Sequence, residues 1–239
     1  MAVLITGKGK LGKELVKLFP NSLNPVSNEM DIINKEQISN FLDHKQLDIV
    51  IHTAALTSQI NCENHPRLAW DINVNGTKNL ISHIRTANPN CLFVFVSSPA
   101  IFKCDVGNYS EFDVPYPINQ YGLTKLVGEI LTQSLNNNLI IRTNFVERNW
   151  KPEKSFIDRF GTYLYSDTVA RAIKELIEKQ KRGIIHICGT KKISMFDLAK
   201  RSNPDVEPVS LDIFDDKSIL AKDMSLITNS WHPYNIEID

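Results

Sequence analysis

The chain has 239 residues, enough for one large domain or two small ones with a full core. Its 27 lysines and arginines balance its 27 aspartates and glutamates, so no electrostatic footprint favours nucleic acid or an anionic membrane surface. No apolar run approaches the ~20 residues needed to span a bilayer, and Ala2–Thr6 is too short for a signal-peptide core, so a cytoplasmic protein is expected.

In chain order, Ala2–Thr6 reads as a buried strand, and Leu11, Leu15, Leu18 and Phe19 give the helix after it an inward face. Ser22–Ser27 reads as a short second strand, weakened by Pro25, and Lys35–His44 as a helix carrying Ile38, Phe41 and Leu42. Asp48–Thr53 is a strand, Arg67–Thr86 one long helix, and Cys91–Ser97 the clearest strand of all. Helix Tyr121–Leu135, strand Leu139–Thr143, helix Ser166–Lys179, strand Ile184–Cys188 and a short helix Ser194–Arg201 complete the series. This alternation predicts an α/β fold, a Rossmann-type doubly wound parallel sheet covered by helices on both faces. Residues 1–143, completed by 166–188, form the expected dinucleotide-binding domain. The loop-rich residues 144–165 and 189–239 form a small substrate-binding part.

Ligands of open parallel sheets bind beyond the strand carboxyl ends. At the first of these ends, Gly7-Lys8-Gly9-Lys10-Leu11-Gly12 allows a tight turn, close backbone approach to a pyrophosphate and a helix N-terminus facing the anion. Lys8 and Lys10 are either phosphate ligands or solvated loop lysines. The position that tells NAD from NADP falls on Val26 or Ser27, neither of which decides. Asp31, followed by Ile32, either reaches the adenine edge or caps the next helix.

Tyr121 and Lys125 are four residues apart and share a helix face. An ammonium beside the phenol is expected to bring its pKa down towards working pH. Ser98, just past the strongest strand, is placed to hydrogen-bond an oxygen on which charge develops, the alternative being a turn residue before Pro99. The four cysteines show no Cys-x-x-Cys spacing and the six histidines no ligand motif, so neither a metal nor a disulfide framework is expected.

These residues lie within a longer match. The chain resembles the extended short-chain dehydrogenase/reductases, and within them the dTDP-4-dehydrorhamnose reductase group. The resemblance rests on Thr6-Gly7…Gly9…Gly12, Met30-Asp31-Ile32, Asp48 to Ala55, and Ile72-Asn73…Gly76…Asn79-Leu80. It continues through Val96-Ser97-Ser98…Ile101-Phe102, Tyr116-Pro117…Asn119 to Lys125…Gly128-Glu129, and Ile141-Arg142-Thr143.

The resemblance implies reduction of a 4-keto-6-deoxy sugar on a nucleoside diphosphate by NADPH or NADH, NADPH slightly favoured, for surface-polysaccharide synthesis. Tyr121 would be the proton donor, Lys125 its activator and a cofactor ribose ligand, and Ser98 the carbonyl-oxygen ligand. Thr53, Ala54 and Ala55 would line the cofactor path and Asn73 would buttress the site, while Thr57, Asn144 and Phe145 would join Ser98 on the substrate. Arg142 is either part of the family's Arg-Thr element or a structural ion pair. The expected partner is a nucleotide sugar, with no nucleic acid or membrane and a possible homodimer.

The chain departs from the family pattern at several points. One residue, Lys8, separates the first two glycines where two are usual, and Pro99-Ala100 follows Ser98 where an Asp-Tyr is usual. Ile60 replaces one of the acidic residues that some members use for magnesium, and Glu63 remains. A helix's worth of residues is missing between Phe145 and Asp167. Two other readings keep the same fold: a nucleotide-sugar epimerase or dehydratase, and a non-catalytic NADP-binding regulatory subunit. The Pro99-Ala100 pair argues against dehydration, because dehydratases place acids there.

Overall fold

The computed structural model of the protein describes residues 1–214 and 219–236; residues 215–218 and 237–239, which fall in the expected substrate-binding part, lie outside the described residues. Its centre is a five-stranded sheet of β1 (Val3–Thr6), β2 (Ile49–His52), β3 (Leu92–Ser97), β4 (Asn138–Thr143) and, later in the chain, a strand at Gly183–Ile187, in that spatial order. Every neighbouring pair is parallel.

The crossovers are helical, as parallel pairing requires. They comprise α1 (Lys10–Leu18), α2 (Lys35–Leu42), α3 (Gln59–Asn64), α4 (Pro66–Trp70), α5 (Gly76–Ala87), α6 (Gln120–Gln133) and α7 (Ser166–Glu178). Alternate strand residues serve the two faces. Val3, Ile5, Ile51, Val94 and Ile141 pack against Leu11 and Leu15 of α1 and Ile173 and Leu176 of α7. Leu4, Val50, Phe93, Phe95 and Ile140 pack against Ile38 and Leu42 of α2 and Leu80 and Ile84 of α5. With both faces covered, the strands are apolar throughout, which is why they read as continuous runs.

The expected second strand is reduced to one bridge, Leu4 with Leu23. Leu23 donates to Val3 and accepts from Ile5, and Pro25 has no N–H to extend the ladder. That bridge lies on the flank of β1 opposite β2, so the chain leaves β1 to one side and returns on the other. The Gly-rich turn therefore sits at the switch point of the sheet.

The long helix expected over Arg67–Thr86 is α4 and α5 joined by a π-helical turn at Asp71–Asn75. The wider turn carries Asn73 inward, and such turns recur at functional sites. α3 preceding it follows Ser58, whose side chain caps it by accepting from Asn61 N–H.

The two loop-rich regions contain short strands. These are β5 (Phe145–Val146), β6 (Lys154–Phe156), β7 (Phe160–Gly161), β8 (Leu164–Tyr165), β10 (Ile193–Ser194), β11 (Glu207–Val209) and β12 (Asp223–Met224), with β9 being the sheet strand Gly183–Ile187. They pair as β5 with β8, β6 with β11, and β10-β7-β12. The short C-terminal helix is α8 (Met195–Lys200), with Ser194 as its N-cap rather than its first residue. A third apolar cluster, including Phe102, Tyr109, Tyr163, Tyr165, Leu198 and Leu226, holds these pieces against the loop after β3. No helix among the described residues is long and apolar enough to cross a membrane.

Candidate active site

Beyond the carboxyl ends of β1–β4 lies a cleft of about 790 Å³. One wall is the complete Gly7–Gly12 turn with Thr53, Ala54, Ala55 and Thr57; the floor includes Ser98, Tyr121, Lys125, Asn144 and Phe145. The fold thus brings together most of the residues singled out in the sequence.

The three glycines of the turn do different work. Gly7 has φ +90°, and a Cβ there would lie 2.8 Å from Thr53 Oγ1. A Cβ on Gly12 would lie 2.1 Å from the Gly7 carbonyl oxygen, so close packing of α1 on the turn excludes one. A Cβ on Gly9 would meet nothing within 4 Å. Gly9 is also the N-cap of α1 and supplies no side chain to the first amides of that helix. The open cradle and the uncapped helix end together fit a pyrophosphate, in spite of the shortened glycine spacing.

Opposite effects are expected from two substitutions here. Gly12→Ala overpacks the turn and should destabilise the fold by about 1–3 kcal/mol in thermal unfolding. Gly9→Ala should leave the melting temperature near wild type and weaken NADPH binding by roughly tenfold, measured by fluorescence titration.

Lys10 pairs with Glu147 at 3.5 Å across the cleft rim, and Lys8 is exposed. Asp31 and Ile32 do not line the cleft. Asp31 Oδ1 accepts from Ile33 N–H, Ile32 is buried against Gly76, and the cap of α2 is Asn34 rather than Asp31.

Tyr121 reaches Ser98 because α6 lies unusually close to the loop after β3. Asn119 caps the helix by accepting from Gly122 N–H, and a Cβ on Gly122 would lie 2.0 Å from the Ala100 carbonyl oxygen. Ser98 Oγ accepts from Ala100 N–H at 3.2 Å, which leaves its proton available to another oxygen. The turn reading and the site reading of Ser98 are therefore compatible.

Burial pushes the Tyr121 phenol up to about 12, opposed by the Ser98 hydroxyl and reinforced by Cys62. The depressed phenol expected from Lys125 is not what the fold produces. The Lys125 ammonium stands 4.0 Å over the Phe95 ring, and burial brings it down to about 7 against the pull of Glu129.

Asn73, although absent from the cleft wall, ties that wall to α6. Its Oδ1 accepts from Leu56 N–H, and its Nδ2 donates to the Leu56 carbonyl and to Thr124 Oγ1. Thr124 in turn donates to the Tyr121 carbonyl. A second chain runs beneath it. Thr77 Oγ1 donates to the Asn73 carbonyl, so it accepts from His52 Nε2–H, and His52 Nδ1 accepts from Thr6 Oγ1. This order assigns the Nε2–H tautomer. Burial, with Lys125 adding to it, holds the His52 pKa down at about 3.

Arg142 proves to be a structural ion pair. Its guanidinium forks onto Glu129, with the shortest contact at 2.8 Å, and both side chains are almost fully buried. Glu63, remnant of the acidic pair, accepts from Gln120 N–H at the start of α6.

Sequence reading did not anticipate the outer wall, which includes Gln59, Phe156, Arg159, Met195, Leu211 and Phe214. Within the cleft, Thr143 Oγ1 is buried without a partner.

Comparison with known proteins places this geometry. The family model described as RmlD substrate binding domain matches residues 1–209. A dTDP-4-dehydrorhamnose reductase from Aggregatibacter actinomycetemcomitans is 29% identical over 226 residues, covering 82% of this chain and 76% of that one. The structure of dTDP-4-dehydrorhamnose reductase from Bacillus anthracis in complex with NADP superposes with a TM-score of 0.88 at 26% identity, over 98% of this chain and 95% of that one. Methionine adenosyltransferase 2 subunit beta from Bos taurus is 30% identical over 149 residues, 57% of this chain and 43% of that one.

Proposed function

Because this chain belongs to the RmlD substrate binding domain family, we propose that it reduces the keto group of a nucleotide-linked 4-keto-6-deoxy sugar in deoxysugar biosynthesis. The cofactor is NADPH or NADH, and the NADP complex of the Bacillus anthracis relative favours NADPH. The observation that carries this reading is the meeting of Ser98 and Tyr121 in one cleft with the open Gly9 cradle.

When bound along that cradle, the reduced nicotinamide supplies a hydride to the sugar carbon. The chain's own residues handle the oxygen. Ser98 donates a hydrogen bond to the carbonyl oxygen, polarising it. Tyr121, with a pKa of about 12, carries its proton throughout the physiological range. It is therefore in the form needed to protonate the developing alkoxide. Lys125, brought down to about 7 by burial, carries its positive charge beneath the site only below that pH, and Asn73 fixes the backbone of the Tyr121 turn.

The regulatory-subunit reading has the bovine relative in its favour. It gives no account of why Ser98, Tyr121 and Lys125 converge. Mixing the protein with NADPH and a panel of nucleotide 4-keto-6-deoxy sugars should show net loss of absorbance from the reduced nicotinamide with at least one of them. An epimerase would turn over without net consumption, and a regulatory subunit would show neither.

A further inference from the structure

Lys125 and Glu129 stand one turn apart on the buried face of α6, the spacing at which opposite charges ordinarily pair. Among the described residues no hydrogen bond or ion pair joins them, and the Lys125 ammonium lies instead 4.0 Å over the Phe95 ring of β3. Gly128 permits that arrangement, since a Cβ there would lie 2.4 Å from Phe95 Cζ.

The Glu129 carboxylate is claimed by β3 and β4. Ser97 Oγ donates to Oε1 at 2.5 Å, Arg142 Nε to the two oxygens at 3.1 and 3.3 Å, and Arg142 Nη2 to Oε2 at 2.8 Å. Arg142 is itself held in place. Its Nη1 donates to His186 Nε2 at 3.4 Å, His186 Nδ1 donates to the Ile227 carbonyl, and the guanidinium stands 5.2 Å from the Phe102 ring. A carboxylate so loaded has little charge left for a second cation in the same interior.

The other ionisable groups around α6 supply no counter-ion. His52 of β2 is neutral, Cys62 and Glu63 of α3 face Tyr121 and the Gln120 N–H, and Asp71 of the π-helical turn accepts from Asn75. On α4 and α5, Arg67 and Lys78 are exposed, burial keeps His83 neutral, and Arg85 meets Ser134 at the far end of α6.

We propose that Arg142 is a positioning residue: with Ser97 it holds the Glu129 carboxylate off Lys125, leaving the ammonium unpaired in the floor of the cleft. This rests on the reading of Lys125 as part of a reductase site and concerns what fixes its charge. With Glu129 restrained, burial brings Lys125 down to about 7; a released Glu129 would pair with the ammonium and keep its proton on to higher pH.

The test follows Lys125 itself, by NMR titration of the full chain isotopically labelled at the lysine ε-carbons, with Lys125→Met identifying the resonance. It needs no substrate. Wild type should titrate at about 7. Arg142→Met should move the midpoint up by about 1–3 pH units. Ser97→Ala, which removes one donor and keeps the ion pair, should move it up by about half a unit. Arg142→Lys, which keeps a cation on Glu129, should return it to within about half a unit of wild type. The double variant Arg142→Met/Glu129→Gln should stand at or below wild type, because no carboxylate remains to take the ammonium. If Arg142→Met, which strands a buried carboxylate, does not fold, Ser97→Ala and the double variant decide.

An unchanged or lowered midpoint in a folded Arg142→Met or in Ser97→Ala would overturn the assignment. So would a raised midpoint in the double variant, or a wild-type Lys125 that titrates like a solvated lysine. Midpoints that move as stated, without any keto-sugar reduction, would leave the assignment of Glu129 to Arg142 standing and remove the proposed reaction. Where reduction is found, the alkaline limb of turnover should move with the NMR midpoint, and a limb that stays in place would overturn the role of Arg142 in the reaction.

Discussion

Tyr121→Phe should lower turnover by about 10²–10⁴-fold while leaving NADPH affinity within a factor of about two. The substitution removes one oxygen and its proton. Ring packing against the cleft is retained, and so are the Thr124 bond to the residue 121 carbonyl and the Asn119 cap on Gly122. Ser98 would still polarise the carbonyl, which accounts for residual activity. Stopped-flow measurement of a single turnover, with cofactor binding followed in the same samples, separates the chemical step from assembly. Turnover within a few-fold of wild type would mean that the alkoxide takes its proton from elsewhere.

A second large effect is expected at Lys125, and it concerns stability as well as activity. Burial lowers its pKa from 10.5 to about 7. Below about pH 7 the ammonium is charged in both folded and unfolded chains, and the folded chain bears the full desolvation penalty. Between there and pH 10.5 the unfolded chain keeps a proton that the folded chain has released, so stability rises with pH across that window. Lys125→Met removes the penalty. It should unfold later than wild type at about pH 6, by at most roughly 3–5 kcal/mol, and the gain should fade as the pH approaches 10. The same variant, assayed at about pH 6 where the ammonium is charged, should lose at least about 100-fold in turnover, because the site loses its positive charge. Chemical denaturation at several pH values, paired with initial rates, measures both. A destabilised Lys125→Met at about pH 6 would show that the Phe95 and Glu129 contacts outweigh desolvation.

His52 adds to the acid side of the profile. Its folded pKa of about 3 lies below the ordinary 6.5, so the stability it provides is complete above pH 6.5 and declines as pH falls towards 3.

The sheet was legible in the sequence because strands buried on both faces cannot hide their apolar runs. Val3–Thr6, Ile49–His52 and Leu92–Ser97 stand out for that reason. The turn and Ser98 follow from it, since each sits at the carboxyl end of a strand. Tyr121 and Lys125 were legible as one helical face, yet their pKa values were not. Four-residue spacing says nothing about the Phe95 ring that takes the ammonium or about the burial that dominates both groups.

The strand expected at Ser22–Ser27 failed on a tertiary count, since only Leu23 meets β1. The break at Asp71–Asn75 was invisible because an extra residue in one turn barely disturbs apolar periodicity. Likewise Asn73 was marked, while its ties to Leu56 and Thr124 depend on two segments distant in sequence. Hardest to read was the outer wall. Phe156 ends a three-residue strand, Arg159 directly precedes a two-residue one and Phe214 is the C-cap of a 3₁₀ turn, all too short for any period to reveal.

The reaction itself is tested most directly by the fate of a labelled hydride. With NADPH deuterated at the transferring position of C4 and a nucleotide 4-keto-6-deoxy sugar that the protein accepts, the sugar product should carry one deuterium at C4 for each NADPH consumed. Sugar recovered without deuterium, whether unchanged or altered in configuration, would contradict hydride delivery across this cleft.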